Sequence, residues 1–259
     1  MWRAPPRARS LRHDCVCSLL RTGVLDERPW FAVEHMAGGS LHDFLRIEQA
    51  EQHESALLAR IVAHVASGMA YLHAQDIMHR DLKTANVLLS DEAHAKVTDF
   101  GLSTTFKPAG DEYTAEKGTY RQMAPEIVLR KPYTHKVDVY SYGMLLWETL
   151  HPGQEPFAGL MPLQAAFAVA MQQSRPTICL RDEHADYGAL ITACWDGAPD
   201  NRPEMAAVET LTAQKFAALD ATDEASDAAS EEASEEASDG EAADAIDVGD
   251  DGRDEGSPQ

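Results

Sequence analysis

The 259-residue sequence predicts an α+β fold that is mostly helical. Three observations lead there: two apolar runs of strand length near the N-terminus, helical apolar spacing from residue 40 onward, and a final acidic segment with no apolar face to bury.

Residues 15–22 and 30–36 are short apolar runs separated by Gly-Val-Leu-Asp-Glu-Arg-Pro, which suits two strands and a turn. Ala37-Gly38-Gly39-Ser40 breaks the pattern, and Ser40 can cap a helix that begins at Leu41. From Ser55 to His73, apolar residues at Leu57, Leu58, Ile61, Val62, Val65, Met69 and Leu72 form one face of a long helix. Val87–Leu89 and Ala95–Thr98 are too short for helices and read as a strand pair around Asp91-Glu92. Residues 102–123 lack periodicity and form a long loop, a length that in compact domains usually serves function. Helical spacing returns at 138–150, where Val139, Tyr142, Leu146 and Leu150 align, and at 162–172, 185–194 and 204–218.

The net charge of −21 is unevenly placed. Residues 220–259 hold 16 acids and one arginine, so the remainder is an ordinary, mildly acidic body, which argues against broad nucleic-acid binding. The Ala, Ser, Asp and Glu content of the tail, with its repeated Glu-Glu-Ala-Ser, predicts disorder. Such a tail is either a plain solvated segment or an electrostatic arm for regulatory partners, with Ser226, Ser230, Ser234 and Ser238 open to phosphorylation. Cys15, Cys17, Cys179 and Cys194 are too few and scattered for a disulfide framework or a four-ligand zinc site. A reducing compartment follows, and a cytoplasmic location is expected. No apolar run approaches the roughly 20 residues that a bilayer requires, so no membrane span is expected. Arg3, Arg7, Arg9 and Arg12 give the first dozen residues a faint transit-peptide character, but the segment is short and poor in serine.

The chemistry concentrates in residues 79–89, His-Arg-Asp-Leu-Lys-Thr-Ala-Asn-Val-Leu-Leu, followed by Asp99-Phe100-Gly101 and Ala124-Pro125-Glu126. Phosphoryl transfer needs a group that accepts the proton of the attacking hydroxyl, and Asp81 fits. It also needs oxygen ligands that hold magnesium on the phosphates, for which Asn86 and Asp99 are candidates. Lys83 can reach the transferring phosphate and offset its developing charge.

In this order and spacing the blocks make residues 11–217 resemble a protein kinase of the serine/threonine type, closest to the tyrosine-kinase-like group. The resemblance implies a protein-kinase-like large lobe over 37–218, only a remnant of the small β-lobe with the hinge over 1–36, and the acidic disordered tail over 219–259. It further implies ATP and Mg2+ as cofactors and a protein substrate. Trp30–Met36 with the following Ala-Gly-Gly-Ser-Leu resembles the strand and hinge that receive adenine, through the Glu34 carbonyl and Met36 backbone, with Val33 guarding the back of the pocket and Leu88 as its floor. Gly118-Thr119-Tyr120-Arg121 resembles the substrate-docking segment, with Gln122 where the group usually carries tryptophan. Lys83 and Thr119 match the serine/threonine pattern. By the same resemblance Asp138 should cap the catalytic-loop backbone, Glu126 should pair with Arg202, and Cys194-Trp195 should be core. A phosphate on Thr104, Thr105, Tyr113 or Thr114, with Thr114 the first choice, could pair with Arg80 to order the loop.

One part of the family pattern is missing. Lys83 is the first lysine and Gly23 the only glycine before Gly38, which leaves no strand lysine and no glycine-rich phosphate loop in this chain. A single charge-assisted hydrogen bond is worth about 1.5–3 kcal/mol, about tenfold to more than a hundredfold in rate, so this form is expected to transfer phosphate poorly. The hairpin at 15–36 should also expose edges and an apolar face. Three readings follow: a serine/threonine kinase whose chain here begins late, a non-catalytic interaction module, and a tyrosine or dual-specificity kinase. Retention of Asp81, Lys83, Asn86 and Asp99 favours the first, because a non-catalytic remnant has no chemical need for four converging polar residues.

Overall fold

The computed structural model describes residues 11–26, 28–47, 53–99, 104–105 and 120–222. The arginines at 3, 7 and 9, Phe100 and Gly101, the candidate phosphorylation sites Tyr113 and Thr114, Gly118 and Thr119 of the expected docking segment, and the serines of the acidic tail lie outside the described residues. The chain divides into two compact units, Met1–Leu219 and Asp220–Gln259; of the second, only 220–222, the exposed end of a helix, are described.

Strands β1 (Leu19–Leu25) and β2 (Arg28–Val33) pair antiparallel as the N-terminal hairpin. Its turn is tighter than the seven-residue separation predicts. Gly23, Val24 and Leu25 stay in β1, and Asp26 makes the reversal with a left-handed φ of 48°. Gly23 faces Trp30 across the pair, and a Cβ there would lie 2.5 Å from the indole, so only glycine lets the ring cover this strand. Leu20, Val24, Leu25 and Trp30 are exposed, as expected for a two-stranded hairpin with one uncovered face.

The first predicted strand starts late for a physical reason. Cys15, Val16 and Cys17 are buried, and they run beside a strand that lies much later in the sequence. Cys17 N–H donates to the Val97 carbonyl at 2.8 Å, and Val97 N–H donates to the Cys15 carbonyl at 2.9 Å. β3 (Gly39–Ser40) leads into α1 (Leu41–Phe44), where the Ser40 hydroxyl accepts from Asp43 N–H and caps the helix as predicted.

α2 (Ser55–Ala74) follows the predicted apolar face: Leu58, Ile61, Val62, Val65, Met69 and Leu72 are buried, and Leu57 is partly so. With a mean hydropathy of 1.3 it is, by length and composition, apolar enough to cross a membrane, contrary to the expectation that no run approaches that length. Its apolar residues instead belong to one core cluster that also takes in Leu11 and Val16.

β4 (Ile77–Met78), β5 (Val87–Leu89), β6 (Ala95–Val97) and β7 (Thr104–Thr105) follow among the described residues, with sheet orders β3-β5-β6 and β4-β7. β5 and β6 are the predicted pair, with Leu88 opposite Lys96. β7 lies inside the stretch predicted as loop, because a two-residue strand has no periodicity to detect.

α3 (Pro125–Val128), α4 (Lys136–Leu150), α5 (Pro162–Gln172), α6 (Tyr187–Cys194) and α7 (residues 205–222) finish the described chain. α6 begins after a short 3₁₀ turn at Asp182–His184 rather than at residue 185. Every residue of α4 from Val137 to Leu150 is buried, which makes it the central helix of the lobe. The Tyr142 hydroxyl donates to the Val62 carbonyl at 3.0 Å and joins α4 to α2.

Candidate active site

The loop between β4 and β5 carries residues 79–86 and ends in a 3₁₀ turn, Thr84–Asn86. Its anchor comes from the first turn of α4. Asp138, fully buried, accepts from His79 N–H and Arg80 N–H at 2.8 Å each, and its Oδ2 also meets His73 Nε2 at 2.9 Å. Burial works to raise the Asp138 carboxyl, but the His73 hydrogen bond, the neighbouring histidines and the backbone donor outweigh it and hold the group below its ordinary value. Held this way, Arg80 takes a left-handed φ of 68°, a strained backbone of the kind stored at functional sites.

His79 orients the next step of the loop. It is fully buried, its Nε2 donates to the Thr98 carbonyl at 2.9 Å, and its Nδ1 accepts from Asp81 N–H at 3.3 Å. Together these bonds assign the tautomer with hydrogen on Nε2.

Asp81 then meets two donors on one oxygen. Lys83 Nζ donates to Asp81 Oδ2 at 2.9 Å, and Asn86 Nδ2 donates to the same oxygen at 3.0 Å and to the Asp81 carbonyl at 2.7 Å. Asn86 is therefore turned so that its amide nitrogen serves Asp81, which leaves its carbonyl oxygen as the group suited to a hard cation. Thr98 N–H donates to the Asn86 carbonyl of the backbone at 2.9 Å, which fixes the approach of Asp99, an exposed residue with a left-handed φ of 61°. Among the described residues no three His, Cys, Asp or Glu side chains gather as a metal cage. A cation at Asn86 and Asp99 would complete its shell with phosphate oxygens and water, the coordination habit of magnesium.

The sequence-predicted nucleotide contacts divide. Leu88, partly buried on β5, sits opposite Lys96 of β6, and Lys96 Nζ donates to Glu34 Oε2 at 2.8 Å. The Glu34 carboxylate also accepts from Ser18 N–H at 2.6 Å. The floor strand and the expected hinge are thus tied by one ion pair. Met36 is partly buried beside them, and its carbonyl accepts from Gly39 N–H at 3.3 Å. Val33, at the end of β2, is 45% exposed.

On the substrate side, Glu126 and Arg202 form the expected buried fork, with Nη1 and Nη2 donating to the two carboxylate oxygens at 2.6 and 2.9 Å. Arg202 also covers one face of Tyr140, its guanidinium 5.0 Å from the ring centre. Cys194 and Trp195 are core, as expected. Residues that sequence reasoning missed are His73, whose partner Asp138 lies 65 residues away, and Lys96, which lies 62 residues from Glu34. Neither separation leaves a local signal.

A mostly helical α+β fold that offers a carboxylate between a lysine and an amide, next to a small strand pair, defines the class: a protein-kinase fold. Residues 7–211 match the family model for protein tyrosine and serine/threonine kinases, and the chain belongs to that family. It is 39% identical over 200 residues to the serine/threonine-protein kinase STY17 of Arabidopsis thaliana, covering 77% of this chain and 34% of that protein. The serine/threonine/tyrosine-protein kinase HT1 of the same plant is 42% identical over 175 residues, covering 68% of this chain and 44% of the relative. The probable serine/threonine-protein kinase drkC of Dictyostelium discoideum is 34% identical over 202 residues, covering 76% and 27%. The chain thus spans less than half the length of these relatives.

Proposed function

We propose that this chain is the catalytic lobe of a serine/threonine protein kinase, passing the γ-phosphate of ATP to hydroxyl groups of a protein. The observation that carries this reading is the Asp81 carboxylate, held by Lys83 Nζ at 2.9 Å and Asn86 Nδ2 at 3.0 Å. A carboxylate fixed this way can orient a substrate hydroxyl and accept its proton. Lys83 stands beside it to offset charge on the moving phosphoryl group.

Asn86 and Asp99 would hold magnesium through oxygen atoms, and the ion, when bound, would neutralise charge on the nucleotide phosphates. The hinge backbone at Glu34 and Met36 would receive the adenine, with Leu88 beneath it and Val33 behind. Within this chain no lysine precedes Lys83, and the phosphate contacts this chain can offer come from Lys83, Asn86 and Asp99. The four free cysteines suit a reducing, cytoplasmic location. Lys83 and the serine/threonine names of the relatives support hydroxyls of serine and threonine over tyrosine; the name of HT1 keeps tyrosine as the second acceptor to be checked.

Two readouts test the proposal. Magnesium-dependent binding of ADP, followed by calorimetry, should be lost in Asp99→Asn. Transfer of radiolabelled phosphate from ATP to a mixed protein substrate should be abolished by Asp81→Asn, with the label on serine and threonine after hydrolysis. Binding that ignores both magnesium and Asp99→Asn, together with no transfer above the Asp81→Asn background, would sink it.

A further inference from the structure

The stretch from Pro156 to Ser174 contains no Asp, Glu, Lys, Arg or His, in a chain that carries a net charge of −21. Helix α5 lies within it. Its buried residues are Ala165, Ala166 and Val169, and the helix packs against α3 and the 3₁₀ turn Tyr120–Gln122. The outer face is apolar as well: Leu163 is 48% exposed, Phe167 53% and Met171 69%. Residues four apart share a helix face, so these three side chains form one stripe. Leu160 and Met161 extend the exposed apolar surface at its N-terminal end, and Gln164, Gln172 and Gln173 border it. An apolar patch rimmed by polar residues marks an interaction site, unlike single scattered apolar residues.

A membrane does not suit this stripe. Interfacial helices carry Lys or Arg on the polar face and are drawn to anionic lipid, whereas α5 has no cation and belongs to an acidic chain. A partner recognised by charge would find nothing to bind. The spacing fits the helix itself. Leu163 and Met171 each lie four residues from Phe167, so two α5 helices packed antiparallel about a two-fold axis at Phe167 set Phe167 against Phe167, and Leu163 against Met171 on either side. That is the self-complementarity of an isologous interface, in which residue i meets j and j meets i. Charge selects the same face. Two copies of an acidic chain repel, and residues 156–174 bring no like charges together across the axis.

We propose that the face of α5 carrying Leu163, Phe167 and Met171 is a homodimer interface, with the two helices antiparallel and Phe167 on the axis. One helix face buries less than the roughly 800 Å² per partner of a standard interface, so the dimer is weak and forms at micromolar chain concentration. The net negative charge opposes pairing, and salt that screens it strengthens the dimer. The pairing does not depend on phosphoryl transfer.

Sedimentation velocity on the full 259-residue chain, across the micromolar range and at two salt concentrations, should show a monomer–dimer equilibrium that shifts toward dimer as salt rises. Phe167→Glu should leave only monomer, and Leu163→Glu should weaken association about tenfold or more. Leu211→Glu, at an exposed apolar position of α7, should change nothing. All three sites are exposed, and circular dichroism checks that each variant is folded. The register has its own readout. With the exposed Cys179 replaced by serine and the other three cysteines buried, Phe167→Cys should crosslink to itself under mild oxidation. Leu163→Cys should crosslink only when mixed with Met171→Cys.

A chain that stays monomeric throughout would overturn the proposal and leave the stripe to a different protein. A dimer that survives Phe167→Glu but is lost in Val24→Glu would overturn it too, placing the contact on the exposed N-terminal hairpin. Self-crosslinking of Leu163→Cys with none for Phe167→Cys would overturn the antiparallel register.

Discussion

The Asp138 carboxylate holds the backbone N–H groups of both His79 and Arg80 at 2.8 Å from inside the core. Asparagine has one acceptor oxygen and no charge, so Asp138→Asn cannot serve both donors and His73 together. A charged hydrogen bond is worth about 1.5–3 kcal/mol, and a loss of about 3 kcal/mol is expected on urea unfolding at neutral pH. The pH dependence has a definite sign. Asp138 titrates below its ordinary value in the folded state, so its contribution is fully present above about pH 4, the usual aspartate range, and is lost as pH falls through the lowered folded value. The stability gap between native and Asp138→Asn chains should therefore close in acid.

Glu126 and Arg202 predict a different pattern of loss. Removing one partner of a buried ion pair leaves the other charge without compensation, at about 3–5 kcal/mol. Arg202→Met should cost that much by denaturant unfolding. Adding Glu126→Gln to it should cost less than the sum of the two single changes, because the stranded charge is then gone. Simple additivity in that cycle would contradict a coupled pair.

How far the fold was legible follows from the range of the interactions. Ser40 capping, the α2 face, the β5–β6 pair and the bounds of α5 rest on residues a few positions apart, and each reads directly from the sequence. The chemistry of Asp81, Lys83 and Asn86 was legible for the same reason, since one short loop carries all three. α4 was only half legible: Val139, Tyr142, Leu146 and Leu150 suggested a single apolar stripe, yet the helix is buried on every side, including Asp138 and Glu148. The β4–β7 pairing and the Cys15–Cys17 segment against β6 depend on chain distant in sequence. Local pattern contains nothing about them.

Lys96 and Glu34 predict a modest, site-directed effect. Both side chains are about a fifth exposed, so solvent screening keeps the pair well short of a buried one, and Lys96→Met should cost about 1 kcal/mol or less. Burial works to raise Glu34, whereas the Lys96 and Ser18 hydrogen bonds hold it below its ordinary value. The larger consequence is positional. With the tie between β6 and the Glu34 segment gone, ADP affinity should fall several-fold while the unfolding midpoint moves little. Calorimetry and a thermal melt on the same variant separate the two.

The thiols should react in the order of their environments. Burial pushes Cys194 up to about 12, and burial with the nearby Asp14 charge pushes Cys15 up to about 11. At pH 8 the thiolate of Cys15 is then about one part in a thousand, and the side chain is also shielded. Cys179 is exposed. Iodoacetamide at pH 8 should label Cys179 first, and reach Cys15 and Cys194 only in urea, as read by peptide mass mapping. Early labelling of Cys15 would mean that its segment does not stay packed on β6.

Gly68 tests that packing directly. A Cβ at this position on α2 would lie 2.4 Å from the Cys15 carbonyl oxygen, and backbone cannot yield as a flexible side chain does. Alanine improves intrinsic helix propensity by up to about 1 kcal/mol, whereas forcing an atom into a packed contact costs about 1–3 kcal/mol, so Gly68→Ala should be destabilising on balance. The damage should be local. The displaced carbonyl is the acceptor for Val97 N–H at 2.9 Å, and the neighbouring Cys17 N–H donates back to Val97 at 2.8 Å. Hydrogen exchange in the variant should therefore quicken at Cys17 and Val97 while the amides of α4 keep their protection. Uniform loss of protection would instead point to the whole lobe opening, and unchanged exchange at Val97 would show that the N-terminal segment is not held through this contact.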